Sequence, residues 1–322
     1  MATSLVVKGS ALPRGLILAL AGLAFGCHPH APKKIAVLPS PAPMAEFWAE
    51  PADIASRDLF HGVGGPSLAP DPGKPFTFVK PKTSGKSPGY TVEDAKGTTW
   101  SAKMGVEAQA EVAVSRLLWA IGFRQPPVYL LPSWTLEGGP DPGPKGPTRF
   151  RPHLPGVKES GSWLWRKNPF VGTRQWKGLA VFMRIVNNWD LLDRNNELYE
   201  LDPPRDGVRR FYVVKDLGAS LGRTTAFGRH QGTKNEVEDF EKQRYIGGVK
   251  DGIVDFDDKG RRHRDLHAKI SVDDVRWTSE QLAKLTPKQW QDAFRAAHYD
   301  PETAARYIAR IRQKVEEGRR LR

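Results

Sequence analysis

One cysteine, Cys27, stands in a chain of 322 residues, so no intramolecular disulfide can form. The fold must therefore rest on what the chain can bury. A chain of this length supports one large domain or two lobes of ordinary size. Its composition, 39% hydrophobic and 26% charged, is globular rather than disordered. The balance is basic: 49 Lys and Arg against 36 Asp and Glu, a net charge of +13. Such a charge attracts nucleic acid, anionic lipid or phosphate ligands. The basic residues are scattered, with only the tail Arg319-Arg-Leu-Arg322 locally dense. A solvated basic face is thus favoured over a nucleic-acid site.

The cysteine also closes the clearest local signal. Lys8 and Arg14 form a positive segment, Gly15–Phe25 is apolar, and Gly26-Cys27 follows at once. An apolar run this short does not comfortably cross a bilayer core of roughly 30 Å, but it suits a signal peptide. It resembles a bacterial lipoprotein signal. That resemblance implies removal of residues 1–26 and acylation (palmitate among the chains) of Cys27. The mature protein would then be an extracytoplasmic lipoprotein held to a membrane of the cell envelope. His28, in place of Asp, lacks one inner-membrane retention signal, which favours the outer membrane. The plainer reading is ordinary secretion with an idle thiol.

Residues 27–55 are rich in Pro and Ala and read as a tether. A β-rich part over 56–135 follows, then a mainly helical part over 136–322, interrupted near its start by the Pro/Gly-rich stretch Glu137–Pro147. Phe76–Lys80 alternates like a strand, and Ser84-Gly-Lys-Ser-Pro-Gly89 is a glycine-bearing loop. Strands flank a turn at Asp94–Gly97, ending in Thr98–Met104. Glu107–Ile121 is helical and Gly122 closes it. Trp176–Val186 makes a second helix, and Asn187–Asn196 a polar loop. Leu198–Leu201 and Phe211–Val214 flank Asp202–Gly207 as a hairpin. Toward the C-terminus, Ser279 can cap a helix over Glu280–Leu285, and Pro287 and Pro301 start two more. The fold class is α+β.

Candidate functional residues fall in an informative order. Lys103 ends a strand, and Glu111 lies on the next helix, with Glu107 as its competitor. Asp190 and Asp193 lie just past the second helix, Asn195 follows, and the hairpin leads to Asp216-Leu-Gly218. Phosphoryl transfer from a nucleotide needs such an inventory. A lysine neutralises phosphates and a helical carboxylate holds it. One carboxylate orients the attacking hydroxyl, and Asn with a second carboxylate binds magnesium. Gly85 and Gly89 are the candidates for a loop over the phosphates.

At these residues, over about 75–225, the sequence resembles the protein-kinase-like superfamily, in its divergent branch of HipA-type and phosphatidylinositol kinases. It also resembles uncharacterised exported bacterial proteins with a similar Asn-Asn-Trp-Asp and Asp-Leu-Gly pattern. The resemblance implies a two-lobed fold with a β-rich N-lobe carrying one helix. It makes Lys103 the phosphate-binding lysine and Glu111 its ion-pair partner. Asp190, preferred for its spacing to Asn195, would be the catalytic aspartate, with Asp193 as alternative. Asn195 and Asp216 would bind Mg2+, and ATP would be the cofactor. The acceptor would be a protein or small molecule.

His263-Arg-Asp-Leu266 spells the usual kinase triplet but follows Asp216-Leu-Gly instead of preceding it, so it is rejected as the catalytic loop. Trp163 and Trp165 invite a carbohydrate or membrane reading, yet core packing is the commoner role. His263 and His267 lack a third ligand at zinc spacing. ATP is scarce outside the cytoplasm. Two alternatives therefore stand beside the enzyme: a pseudokinase binding a nucleotide or polyanion, and a lipid-anchored envelope scaffold.

Overall fold

The computed structural model describes residues 1, 34–36, 38, 41–83, 87–225, 232–257 and 264–322; Cys27, Gly85 and His263 lie outside them. Residues 33–322 form one compact unit. It is mixed α+β, with a β-rich N-terminal part carrying one helix and a mainly helical part with embedded hairpins.

Strands β1 (Phe76–Pro81), β2 (Gly89–Glu93) and β3 (Thr99–Met104) pair antiparallel in chain order. The turn between β2 and β3 is held by Asp94, whose Oδ1 accepts the amides of Lys96 and Thr98 and whose Oδ2 accepts the Trp100 indole N–H. Helix α1 (Glu107–Ala120) follows, then β4 (Tyr129–Leu131), β5 (Trp134–Glu137), β6 (Gly143–Lys145) and β7 (Thr148–Pro152). Together they form a seven-stranded sheet ordered β4-β7-β3-β2-β1-β5-β6. The Pro/Gly-rich stretch is therefore not a mere interruption, because part of it is β6, paired with β5. Its Pro144 is tolerated because β6 is an edge strand.

Alternation along β3 sends Trp100 and Ala102 to one face and Lys103 to the other. The first face is an aromatic core of Phe76, Trp100, Trp134 and Phe150 in edge and tilted contacts. The second faces α1, which is buried along most of its length.

In the second part, β8 (Val157–Gly161) precedes α2 (Arg174–Ile185), capped by the Thr173 hydroxyl. The hairpin of β9 (Asn196–Arg205) and β10 (Val208–Val214) joins β8 in a sheet ordered β10-β9-β8. Its strands run further than expected, so the turn is only Asp206-Gly207, both at positive φ, as a tight hairpin requires. After these come α3 (Val237–Lys242), the hairpin β11 (Ile246–Lys250) and β12 (Ile253–Phe256), and the short α4 (Arg264–His267). The chain closes with α5 (Val272–Ala283), α6 (Pro287–Arg295) and α7 (Pro301–Arg319).

Ser279 does not cap a helix. It lies inside α5, which starts earlier because Ser271 and Asp274 form a reciprocal capping box. Pro287 and Pro301 do open α6 and α7. Trp163 and Trp165 are core residues, each 1% exposed. The end of the stretch read as a tether is packed: Phe47, Trp48 and Ile54 are buried, and the Trp48 indole donates to the Ile121 carbonyl. Two large aromatics gain more from burial than from solvated linker. Among the described residues, no helix is long and apolar enough to cross a membrane.

Candidate functional site

Three elements converge on the Lys103 side chain, which is only 4% exposed. From β3 its ammonium reaches Glu107 Oε2 at 2.7 Å and Glu111 Oε2 at 3.0 Å, both on α1. Asp216 Oδ1, from the segment after β10, lies at 2.9 Å. The choice between Glu107 and Glu111 thus dissolves, because both hold the lysine. Their spacing of four residues puts them on one helix face above the strand end.

The carboxylates have further partners. Glu111 is 1% exposed, and its Oε1 lies 2.9 Å from Arg149 Nε of β7, an ion pair by distance whose N–H is not aimed at the oxygen. Glu107 takes the Lys234 ammonium on Oε1 and the Ser87 hydroxyl on Oε2. Burial alone would lower the Lys103 pKa, but Glu111, Asp216 and Glu107 raise it above the usual lysine range. The same logic inverts for Asp216. Burial pushes it up, yet Lys103 and the nearby Arg149 and Arg151 hold it at about 2. Glu107 also sits below the usual range, with Lys103 overriding its burial. Lys103, Asp216 and Glu107 are therefore ionised at neutral pH.

Asp216 is placed by its glycine. A Cβ on Gly218 would stand 2.5 Å from Glu107 Cβ and 3.0 Å from its carbonyl oxygen, so only glycine lets this turn reach α1. The Gly218 amide in turn donates to Asp216 Oδ1.

The polar loop after α2 docks against the same segment. Asn187, at positive φ, donates to the Gly222 carbonyl, and Asn188 donates to the Ser220 hydroxyl while accepting the Asp190 amide. The Trp189 indole donates to the Thr233 carbonyl. Asn195 Nδ2 donates to the Asp190 carbonyl at 2.6 Å and to Asp190 Oδ2 at 3.2 Å. The Lys215 amide donates to the Asn195 carbonyl, so Asn195 stands one residue from Asp216 across the base of the β9–β10 hairpin.

Asp193 lies in a short 3-10 turn, and its Oδ1 accepts the Trp165 amide at 2.8 Å, a structural bond. The geometry thus joins Lys103, Glu107, Glu111 and Asp216 in one cluster and Asn195 with Asp190 in another, the two linked through the Lys215 backbone, and turns Asp193 toward the β8–α2 loop. Gly89 is not in a loop but opens β2, in register with Lys103. A Cβ there would sit 2.2 Å from the Ala102 carbonyl oxygen. Asp265, of the rejected triplet, forms a two-pronged surface pair with Arg166.

Asn195 and Asp216 offer hard oxygen donors, which suit magnesium, an ion usually bound by one or two carboxylates together with substrate phosphates. Among the described residues, no three His, Cys, Asp or Glu form a cage that could hold a metal. A site completed by phosphate oxygens fits this donor set.

Sequence reasoning missed Arg149, Lys234 and the positioning roles of Asn187 and Asn188. Arg149 carried one signal, the Arg-Phe-Arg alternation of residues 149–151 that sends Arg149 and Phe150 to opposite faces.

No family model matches the chain, and no curated protein matches it. Among solved structures it is similar to the Helicobacter pylori proinflammatory kinase CtkA, over 76% of this chain and 93% of that one, at 10% identity and a TM-score of 0.43.

Proposed function

We propose that the chain is a lipid-anchored, extracytoplasmic phosphotransferase of kinase-like type, using a magnesium nucleotide such as ATP on a protein or small-molecule acceptor. One observation carries the reading: a buried, ionised lysine is gripped by a helical carboxylate pair and by the aspartate of an Asp-Leu-Gly turn. An ammonium held this rigidly in a water-poor place is a preorganised partner for phosphate oxygens.

In this reading Lys103 binds the phosphates, and Glu111 and Glu107 fix its position. Magnesium, when held by Asn195 and Asp216, would neutralise phosphate charge. Asp190 accepts the proton of the acceptor hydroxyl as that oxygen bonds to the terminal phosphorus. The bond to the nucleoside diphosphate breaks, and the diphosphate leaves. Asn195 keeps Asp190 in place through two hydrogen bonds.

The test is transfer of labelled terminal phosphate from Mg-ATP, followed on the full chain and on candidate acceptors. Asp190→Asn should lower transfer by about 100-fold or more, the contribution of a positioned base, while leaving nucleotide binding in place. Wild-type protein that consumes no more nucleotide than Lys103→Met would overturn the phosphotransferase reading.

A further inference from the structure

The charge balance at Lys103 leaves a question that the proposed function does not answer. Three carboxylates, Glu107, Glu111 and Asp216, surround this one ammonium. Arg149 and Lys234 pair with two of them. Each of these cations is thus already matched by a carboxylate, and a phosphate chain carrying several negative charges needs more than that.

One further cation lies beside the cluster with a different kind of partner. Lys82 follows the end of β1, and its amide donates to the Gly89 carbonyl. Its side chain passes over Gly89, where an added Cβ would lie 3.2 Å from Lys82 Cδ. Gly89 is the register partner of Lys103, so the two lysines are neighbours across one strand. The Lys82 ammonium donates to the Ser87 carbonyl at 2.9 Å, a neutral acceptor. The Ser87 hydroxyl in turn donates to Glu107 Oε2, the oxygen that pairs with Lys103. Lys82 is thus half-buried, connected to Lys103 through Ser87 and Glu107, and matched by no carboxylate among the described residues.

We infer that Lys82 is a second phosphate-binding lysine of this site, which contacts a nucleoside polyphosphate lying between it and Lys103. The inference rests on the phosphotransferase reading and deepens it. An anion placed there would relieve the crowding of Lys82 by the Lys103 and Arg149 charges, which together with burial hold its pKa below the usual lysine value.

Calorimetric titration of the full chain with Mg-ATP, and separately with adenosine, tests this. A charge-assisted hydrogen bond corresponds to about a 10-fold to 100-fold change in affinity. Lys82→Met should weaken Mg-ATP by about that factor, Lys82→Arg should stay within a few-fold of wild type, and adenosine binding should be the same in all three. Lys82→Met that binds Mg-ATP as wild type does, with an unchanged melting temperature, would overturn the inference and leave the proposed function standing. Equal losses for ATP and adenosine would overturn it too, by marking a change of shape rather than of charge. Wild-type protein that binds no Mg-nucleotide would overturn both.

Discussion

Two of the described lysines are buried, and they live in opposite electrostatic worlds. Lys103, at the β3–α1 junction, is ringed by three carboxylates and sits above the usual lysine pKa. Lys314, on α7, is 0% exposed and donates to the Ile185 carbonyl and to Asn187 Oδ1, with the Phe240 ring 4.3 Å away. Burial, with Arg310 adding to it and Glu317 opposing, pulls Lys314 well below the usual range. Burial therefore does not decide a lysine's charge; its partners do. Lys103 is arranged to stay charged in a place that water hardly reaches, which in the proposed reading serves a phosphate ligand. Lys314 satisfies the Ile185 carbonyl at the end of α2 and holds the Asn187 side chain, which is a structural arrangement.

The sharpest way to break this comparison is to remove each ammonium. Lys103→Met leaves three carboxylates facing one another without their common partner. It should cost about 3 kcal/mol, the lower end for an opened buried pair because Arg149 and Lys234 still compensate. Lys314→Met removes two hydrogen bonds but also a poorly solvated amine, so about 1 kcal/mol is expected. Urea denaturation midpoints measure both. A larger loss for Lys314→Met than for Lys103→Met would invert the account of which site is the strained one.

A smaller effect separates the two by pH. The unfolded chain holds the Lys314 proton up to its ordinary value near 10.5, whereas the folded chain releases it earlier. Stability should therefore rise with pH between the depressed folded value and about 10.5, by at most about 1.4 kcal/mol per pH unit. Lys103 has the opposite sign, because its contribution is complete below 10.5 and is lost as pH climbs through the raised folded value. Melting temperatures from neutral pH to 11 should show wild type gaining on Lys314→Met up to about 10.5 and the gap then levelling off, since Lys103 is common to both proteins. Parallel curves for the two proteins would remove Lys314 from the explanation. Asp216 adds the smallest term, lost as pH falls from 3.8 toward about 2. Its side chain is 42% exposed, so solvent screens most of it.

How much of this was readable in the sequence follows the range of the interactions. The β2–β3 hairpin, α1, α6 and α7 announce themselves through a turn aspartate, a closing glycine and prolines at first helical positions, all local signals. The Lys103–Glu111 pair was also readable, and Asp216 was singled out by the order of the motifs, but its ion pair with Lys103 was not foreseen. What stayed hidden depends on pairing at a distance. The β6 strand gives no sign of itself in Gly143-Pro-Lys145 until β5 lies beside it. The start of α5 hinged on whether Ser271 or Ser279 found the reciprocal carboxylate, and Asp274 decided it. Asp190 and Asp193 look alike as letters, and only the Trp165 amide and the Asn195 side chain tell them apart.

The central claim is that the ringed lysine and its aspartate form a magnesium-nucleotide site. The most direct measurement is the melting temperature of the full chain with and without about 1 mM ATP, in magnesium and in a chelator, for wild type and Asp216→Asn. With a dissociation constant near ~10 µM, binding adds about 2.7 kcal/mol, a shift of roughly 5 °C. The account predicts that shift in wild type with magnesium, and its loss in the chelator and in Asp216→Asn. No magnesium-dependent shift in wild type, or an equal one in Asp216→Asn, would contradict it.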